Sequence, residues 1–133
     1  MSGGSVLAVG IDLVEVDRIR FAHRRWGERF LARIFTAEEI QYCCARRDPY
    51  PSLAARFAGK EAVAKALGSG FGREISFRSV AIFSDGGVPR VRLLAPASER
   101  MGRLGGGDLL ISLSHTASMA IGQAVLLGAS AGP

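Results

Sequence analysis

Residues 6–14, VLAVGIDLV, place Leu7, Val9, Ile11 and Leu13 at one parity and Val6, Ala8, Gly10 and Asp12 at the other. A period of two predicts a strand, with Asp12 leaving its second face near the end. Helical spacing follows in EVDRIRFAHRRWGERFLARIF, with Gly27 as the break between two helices. Thr36 to Glu39, TAEE, reads as a capping box that starts a new helix near Ala37 and carries it to about Arg47, where DPYPS ends it. Ser52 then stands as the N-cap of a helix ending at Gly68. Beyond the GSGFG loop, SFRSVAIF and VPRVRLLA flank Asp85-Gly86-Gly87 and predict a hairpin. PASERMGRL predicts a short helix, GGGD a loop, and LLISLS with MAIGQAVLL a closing pair of strands around His115 and Thr116.

Composition narrows the setting. A chain of 133 residues, 48% hydrophobic, suffices for one compact domain with a core and not for two. The expected domain spans 1–133, with residues 1–5 and 129–133 as flexible ends. A mean hydropathy of +0.21 is high for a small monomer and suggests apolar surface covered by further copies of the chain. No apolar run approaches the roughly 20 residues of a membrane span. The N-terminal apolar run lacks a preceding basic residue and ends at an aspartate, unlike a secretory signal, so a cytoplasmic protein is expected. Cys43 and Cys44 are neighbours and can neither staple the fold nor supply the spaced pairs of a zinc site. The net charge of +5 points to an anionic partner, whether nucleic acid, phosphorylated metabolite or acidic protein, or else to a coding bias toward arginine.

Both lysines of the chain fall in one stretch, RFAGKEAVAKALGSG at 56–70. On a helical wheel Leu53, Phe57, Ala64 and Leu67 form an arc that contains Lys60. Either its stem packs apolar surface while the ammonium snorkels outward, or this face borders an anion-binding cleft. Glu61 can pair with Lys65 four residues on. Alternatively it joins Asp12, since two carboxylates from different elements can hold Mg²⁺ through hard oxygens while leaving positions for phosphate and water. His115, among the hydroxyls of SLSHTAS, is either a hydrogen-bonded turn residue or a donor to phosphate. The GSGFG glycines can bring backbone N–H groups close to phosphate, without matching a Walker loop.

Three blocks in order, VGIDLVEVDRI at 9–19, RFAGKEAVAKALGSG at 56–70 and ISLSHTASMAIGQAVL at 111–126, span nearly the whole chain. In sequence and spacing the chain resembles the holo-acyl-carrier-protein synthases, the short type of 4′-phosphopantetheinyl transferase. The resemblance implies a small α+β domain, an antiparallel sheet packed on helices, assembled as a homotrimer with interfacial active sites. It implies transfer of 4′-phosphopantetheine from coenzyme A to a serine of apo acyl carrier protein, releasing adenosine 3′,5′-bisphosphate. Asp12 and Glu61 match the family's Mg²⁺ ligands, and with Lys65 they match its catalytic group. Arg56, Lys60, Lys65, Gly68, Ser69, Gly70, His115 and Thr116 match the coenzyme-binding positions, and Arg18 with Arg25 the carrier-binding ones. Gly59 departs from the usual alanine, lowering helix propensity, and Val88 from a lysine common before the proline.

A nucleic-acid-binding module would explain Arg18, Arg20, Arg24, Arg25, Arg29 and Arg33 in one segment, but not the acids. A Mg²⁺-dependent phosphodiesterase would use the same acids without a carrier. Under the resemblance, neither nucleic acid nor membrane is a partner. Arg18, Arg25 and Arg29 would form a single basic stripe if the first helix continued through Gly27.

Overall fold

The computed structural model describes residues 4–71 and 75–130. Strand β1 (Val6–Glu15) runs antiparallel to β5 (Met119–Gly128), which pairs on its other edge with β4 (Gly106–His115), giving a three-stranded sheet in the order β1-β5-β4. A separate ribbon joins β2 (Val80–Asp85) to β3 (Val88–Leu93). Gly86 and Gly87 turn it with φ of 59° and 87°, the left-handed pair that a two-residue hairpin demands. Helices α1 (Val16–Trp26), α2 (Glu28–Ile34), α3 (Ala37–Cys44), α4 (Tyr50–Ala66) and α5 (Ala97–Arg103) complete the domain. This is the α+β arrangement expected. No helix among the described residues is long and apolar enough to cross a membrane.

Helix α4 organises everything else. Nearly every residue from Ser52 to Ala66 is buried, because the helix lies on the sheet and α1, α3 and β2 of the ribbon pack against it. Small residues make this close approach possible. A Cβ at Gly10 would lie 1.9 Å from the Ala62 carbonyl oxygen, and one at Gly122 would lie 2.5 Å from the Gly59 nitrogen. Gly59 therefore serves packing, and α4 continues through it. Two apolar clusters fill the interior: one groups Val16, Ile19, Leu31, Phe35 and Leu53, the other Val63, Leu67, Ile75, Val80 and Leu126.

The same sheet leaves its other face bare. Leu7, Val9, Ile11 and Leu13 share that face as their parity predicts, yet they are 45%, 55%, 53% and 61% exposed. The opposite parity of β1, with Gly10 and Val14, is the one buried against α4.

Several boundaries differ from the sequence reading. Gly27 does break the helix, at φ 71° and ψ −156°, so Arg29 begins a different helix and the three-arginine stripe is interrupted. Helix α3 has its capping box but stops at Cys44 rather than Arg47. Ser52 is no N-cap: α4 already starts at Tyr50, where the Asp48 carboxylate accepts from the Tyr50 N–H at 3.1 Å, and Ser52 is buried within it. The glycines at 106 and 107 belong to β4, where a register shift before Asp108 absorbs them. Residues 1–3 and 131–133 of the expected flexible ends lie outside the described residues, while the Gly128 N–H donates to Ser5 O and the Ala129 N–H to Gly105 O.

Candidate active site

Asp12 stands near the end of β1, a quarter or less exposed, and the Lys65 ammonium reaches it from α4, donating to Asp12 Oδ1 at 3.1 Å and to Ile11 O at 2.8 Å. Lys65 thus pairs across to the strand, and no ion pair joins it to Glu61 among the described residues. Glu61, one turn before Lys65, is half-buried. Burial first, and the Asp12 charge second, push its carboxyl above the usual range, against the opposing pull of Lys65 and Arg18. The charge of Asp12 is thus felt by Glu61, and the two acids share one electrostatic environment. A Mg²⁺ ion fits this donor set. It prefers hard oxygens, would relieve the repulsion that raises Glu61, and keeps water and phosphate in its remaining positions. No group of three or more His, Cys, Asp or Glu gathers among the described residues.

A second charged centre opens on the other side of α4. Arg56 and His115 line a pocket of about 220 Å³, together with Tyr42, Arg46, Ser84 and Pro89. Arg56 is 6% exposed, donates through Nη1 to Ser52 Oγ at 3.3 Å, and has a buried Nε with no hydrogen-bond partner. An unmatched guanidinium N–H in a pocket wall is costly unless a ligand oxygen meets it. Arg46 and Arg56 each sit 4.2 Å from the Tyr42 ring centroid. The Arg46 hydrogen bond, followed by one from Ser84, holds the Tyr42 phenol below its ordinary range. Two guanidiniums and an exposed imidazole suit a phosphate group. Thr116 is next to His115 but turned into the loop, its Oγ1 accepting from the N–H groups of Ser118 and Met119.

Two N–H groups of the glycine loop are taken up within the fold and are not free for phosphate. The Gly68 N–H donates to Lys65 O and the Ser69 N–H to Ala64 O, so both cap the end of α4. Ser69 Oγ donates to Gly70 O. Gly72, the last glycine of that loop, lies outside the described residues.

Lys60 corrects the sequence reading most sharply. It neither snorkels nor lines an anion cleft; it is fully buried, 2.9 Å from Glu39 Oε1, and also donates to Phe77 O and Val80 O. Its three protons are spent on those three acceptors, which leaves none for a phosphate. Burial lowers its proton affinity, and Glu39 opposes that effect.

Arg18 approaches the carboxylates, its guanidinium 5.8 Å from the Phe57 ring centroid and its charge felt by Glu61. Arg25 is exposed on α1 and stacks on Trp26 at 4.4 Å. The sequence reading missed Tyr42, Arg46 and Ser84, because contacts made between α3, its following loop and a hairpin leave no spacing signal. It also missed Glu39 as a partner, although the capping box had already marked that residue.

Comparison with known proteins meets this geometry from the other direction. The family model described as the 4′-phosphopantetheinyl transferase superfamily matches residues 8–117. A holo-[acyl-carrier-protein] synthase of Chlamydia trachomatis is 42% identical over 120 residues, covering 90% of this chain and 98% of its own. The crystal structure of holo-[acyl-carrier-protein] synthase from Neisseria meningitidis superposes with a TM-score of 0.83 at 31% identity, covering 91% of this chain and 98% of the other. The Helicobacter pylori synthase, solved in complex with coenzyme A, gives a TM-score of 0.79 at 34% identity, covering 89% and 98%. With a matching model over most of its length and relatives alike nearly end to end, the chain belongs to the 4′-phosphopantetheinyl transferase superfamily.

Proposed function

We propose that this protein is a holo-[acyl-carrier-protein] synthase that moves 4′-phosphopantetheine from coenzyme A to a serine of apo acyl carrier protein. The observation that carries the reading is the meeting of Asp12, Glu61 and Lys65 in a chain of this family. The serine oxygen forms a bond to the phosphorus bearing the pantetheine arm, and the bond from that phosphorus to the bridging diphosphate oxygen breaks. Adenosine 3′,5′-bisphosphate leaves with the electron pair, and the serine hydroxyl gives up its proton to a base, Glu61 or a water or carboxylate beside it. Asp12 and Glu61 would hold Mg²⁺, which when bound supplies positive charge against the diphosphate. Lys65, half exposed beside Asp12, adds a mobile cation where charge grows on the leaving phosphate. Arg56, Arg46 and His115 hold the remaining phosphate of the coenzyme and so fix its position.

These two centres point to a shared site between chains. On α4, Glu61 and Lys65 project about 140° and 180° away from Arg56 at the standard helical rotation, and neither lines the arginine pocket. One coenzyme can then use the carboxylates of one copy and the pocket of another. The bare face of Leu7, Val9, Ile11 and Leu13 supplies the apolar surface on which copies would meet, which supports a homotrimer. Carrier proteins of this kind are acidic, and Arg25 on α1 offers a docking charge beside Arg18. The setting is the cytoplasm, where the coenzyme and carrier occur together.

Mass spectrometry tests the function. Apo acyl carrier protein incubated with this protein, coenzyme A and Mg²⁺ should gain the mass of one phosphopantetheine group, and nothing when its acceptor serine is replaced by alanine. Hydrolysis of coenzyme A without an adduct on any carrier would favour a phosphodiesterase instead.

A further inference from the structure

Among the described residues the Lys60–Glu39 pair is the most deeply buried ion pair, and it takes no part in the chemistry described above. The two side chains are 0% and 1% exposed. Glu39 accepts from the Thr36 N–H with Oε1 and from the Ile82 N–H with Oε2, each at 2.7 Å, while Lys60 donates to Phe77 O and Val80 O. One ion pair therefore binds α3, the middle of α4 and the start of β2 at a single point. A buried pair of this kind rarely adds stability over a well-packed apolar substitute, so its retention calls for another role.

That role follows from what these elements carry. The arginine pocket takes Tyr42 from α3, Arg56 from α4 and Ser84 from β2. Arg56 lies one helical turn before Lys60, and Ser84 is two residues beyond Ile82. The same lysine fixes Phe77, whose ring stacks on Phe71 at 3.7 Å between centroids, at the end of the glycine loop. Three walls of the pocket thus take their mutual position from one lysine and one glutamate.

We infer that Lys60 and Glu39 are positioning residues for the coenzyme, setting α3 and the β2–β3 ribbon against Arg56 so that the pocket fits a nucleoside bisphosphate. The inference rests on the coenzyme reading proposed above. It also gives Lys60 a role without contact to phosphate: the ammonium reaches the ligand only through the backbone it holds.

Calorimetric binding of adenosine 3′,5′-bisphosphate tests it without turnover. Three variants serve: Lys60→Met, Glu39→Gln and the double variant, which leaves no lone charge in the core. Variants that melt cooperatively should bind the bisphosphate at least about tenfold more weakly. In turnover the KM for coenzyme A should rise by a similar factor, with the carrier KM unchanged. A purely structural pair would instead lower the active fraction, reducing the apparent kcat with both KM values intact, and that result overturns the inference. So does bisphosphate binding equal to wild type, or failure of even the double variant to fold, which would assign the pair to core stability. If wild-type protein itself does not bind the bisphosphate, the coenzyme reading fails first.

Discussion

Glu61 is the residue at which folding and function pull in opposite directions. Its carboxyl is held above the usual range by burial and by Asp12, so ionising it costs the folded protein stability. That cost is absent below the unfolded carboxyl's ordinary value, grows as pH rises through the raised folded one, and is complete above it. Glu61→Gln should therefore raise the metal-free melting temperature by about 3 °C at neutral pH, with the gain fading as pH falls through that window. The same change should lower carrier modification by roughly 100-fold or more. Differential scanning calorimetry at several pH values and turnover assays check both. Near wild-type turnover, or a gain independent of pH, would remove Glu61 from the metal pair. Parity placed Asp12 near the end of a strand and spacing placed Glu61 and Lys65 on one helix, but only the family resemblance joined the three into one site. The setting of Lys60 was not legible, since periodicity puts it on an apolar face without revealing the glutamate that meets it there.

Among elements, α1 is the one whose charge the proposed function assigns to carrier docking. Arg20 ties it to Asp48 at 3.1 Å, and His23 lies 2.8 Å from Tyr50 Oη, so the helix is anchored to the start of α4. Arg25 takes no part in that anchoring and, among the described residues, stacks on the neighbouring Trp26. Arg18, in contrast, is felt by Glu61, so reversing its charge would disturb docking and chemistry together. Arg25→Glu is the cleaner probe: it should raise the KM for the carrier and weaken the salt dependence of kcat/KM, while the KM for coenzyme A stays constant. Steady-state kinetics at low and high salt decide the matter, and an unchanged carrier KM at low salt would move the docking surface elsewhere. The helices themselves were readable from spacing and from the capping box at Thr36. The start of α4 was not, because Asp48 supplies the oxygen for Tyr50 before Ser52 can act as a cap.

At the scale of the whole molecule, one face of the sheet and the two sides of α4 lead to the same conclusion. Parity grouped Leu7, Val9, Ile11 and Leu13 correctly, but only the packing of Gly10 against Ala62 identifies theirs as the uncovered face. The central claim is that one coenzyme is cleaved by the carboxylates of one chain while held by the arginine pocket of another. Mixing two inactive proteins tests this most directly: Asp12→Ala, which lacks a carboxylate, and His115→Ala, which alters an exposed residue of the pocket. After subunit exchange at equal amounts, activity should return to about a quarter of the wild-type value, the share of interfaces in a random cyclic assembly that combine two intact halves. Mixed oligomers that remain inactive, or a fully active wild-type monomer by sedimentation, would contradict the claim.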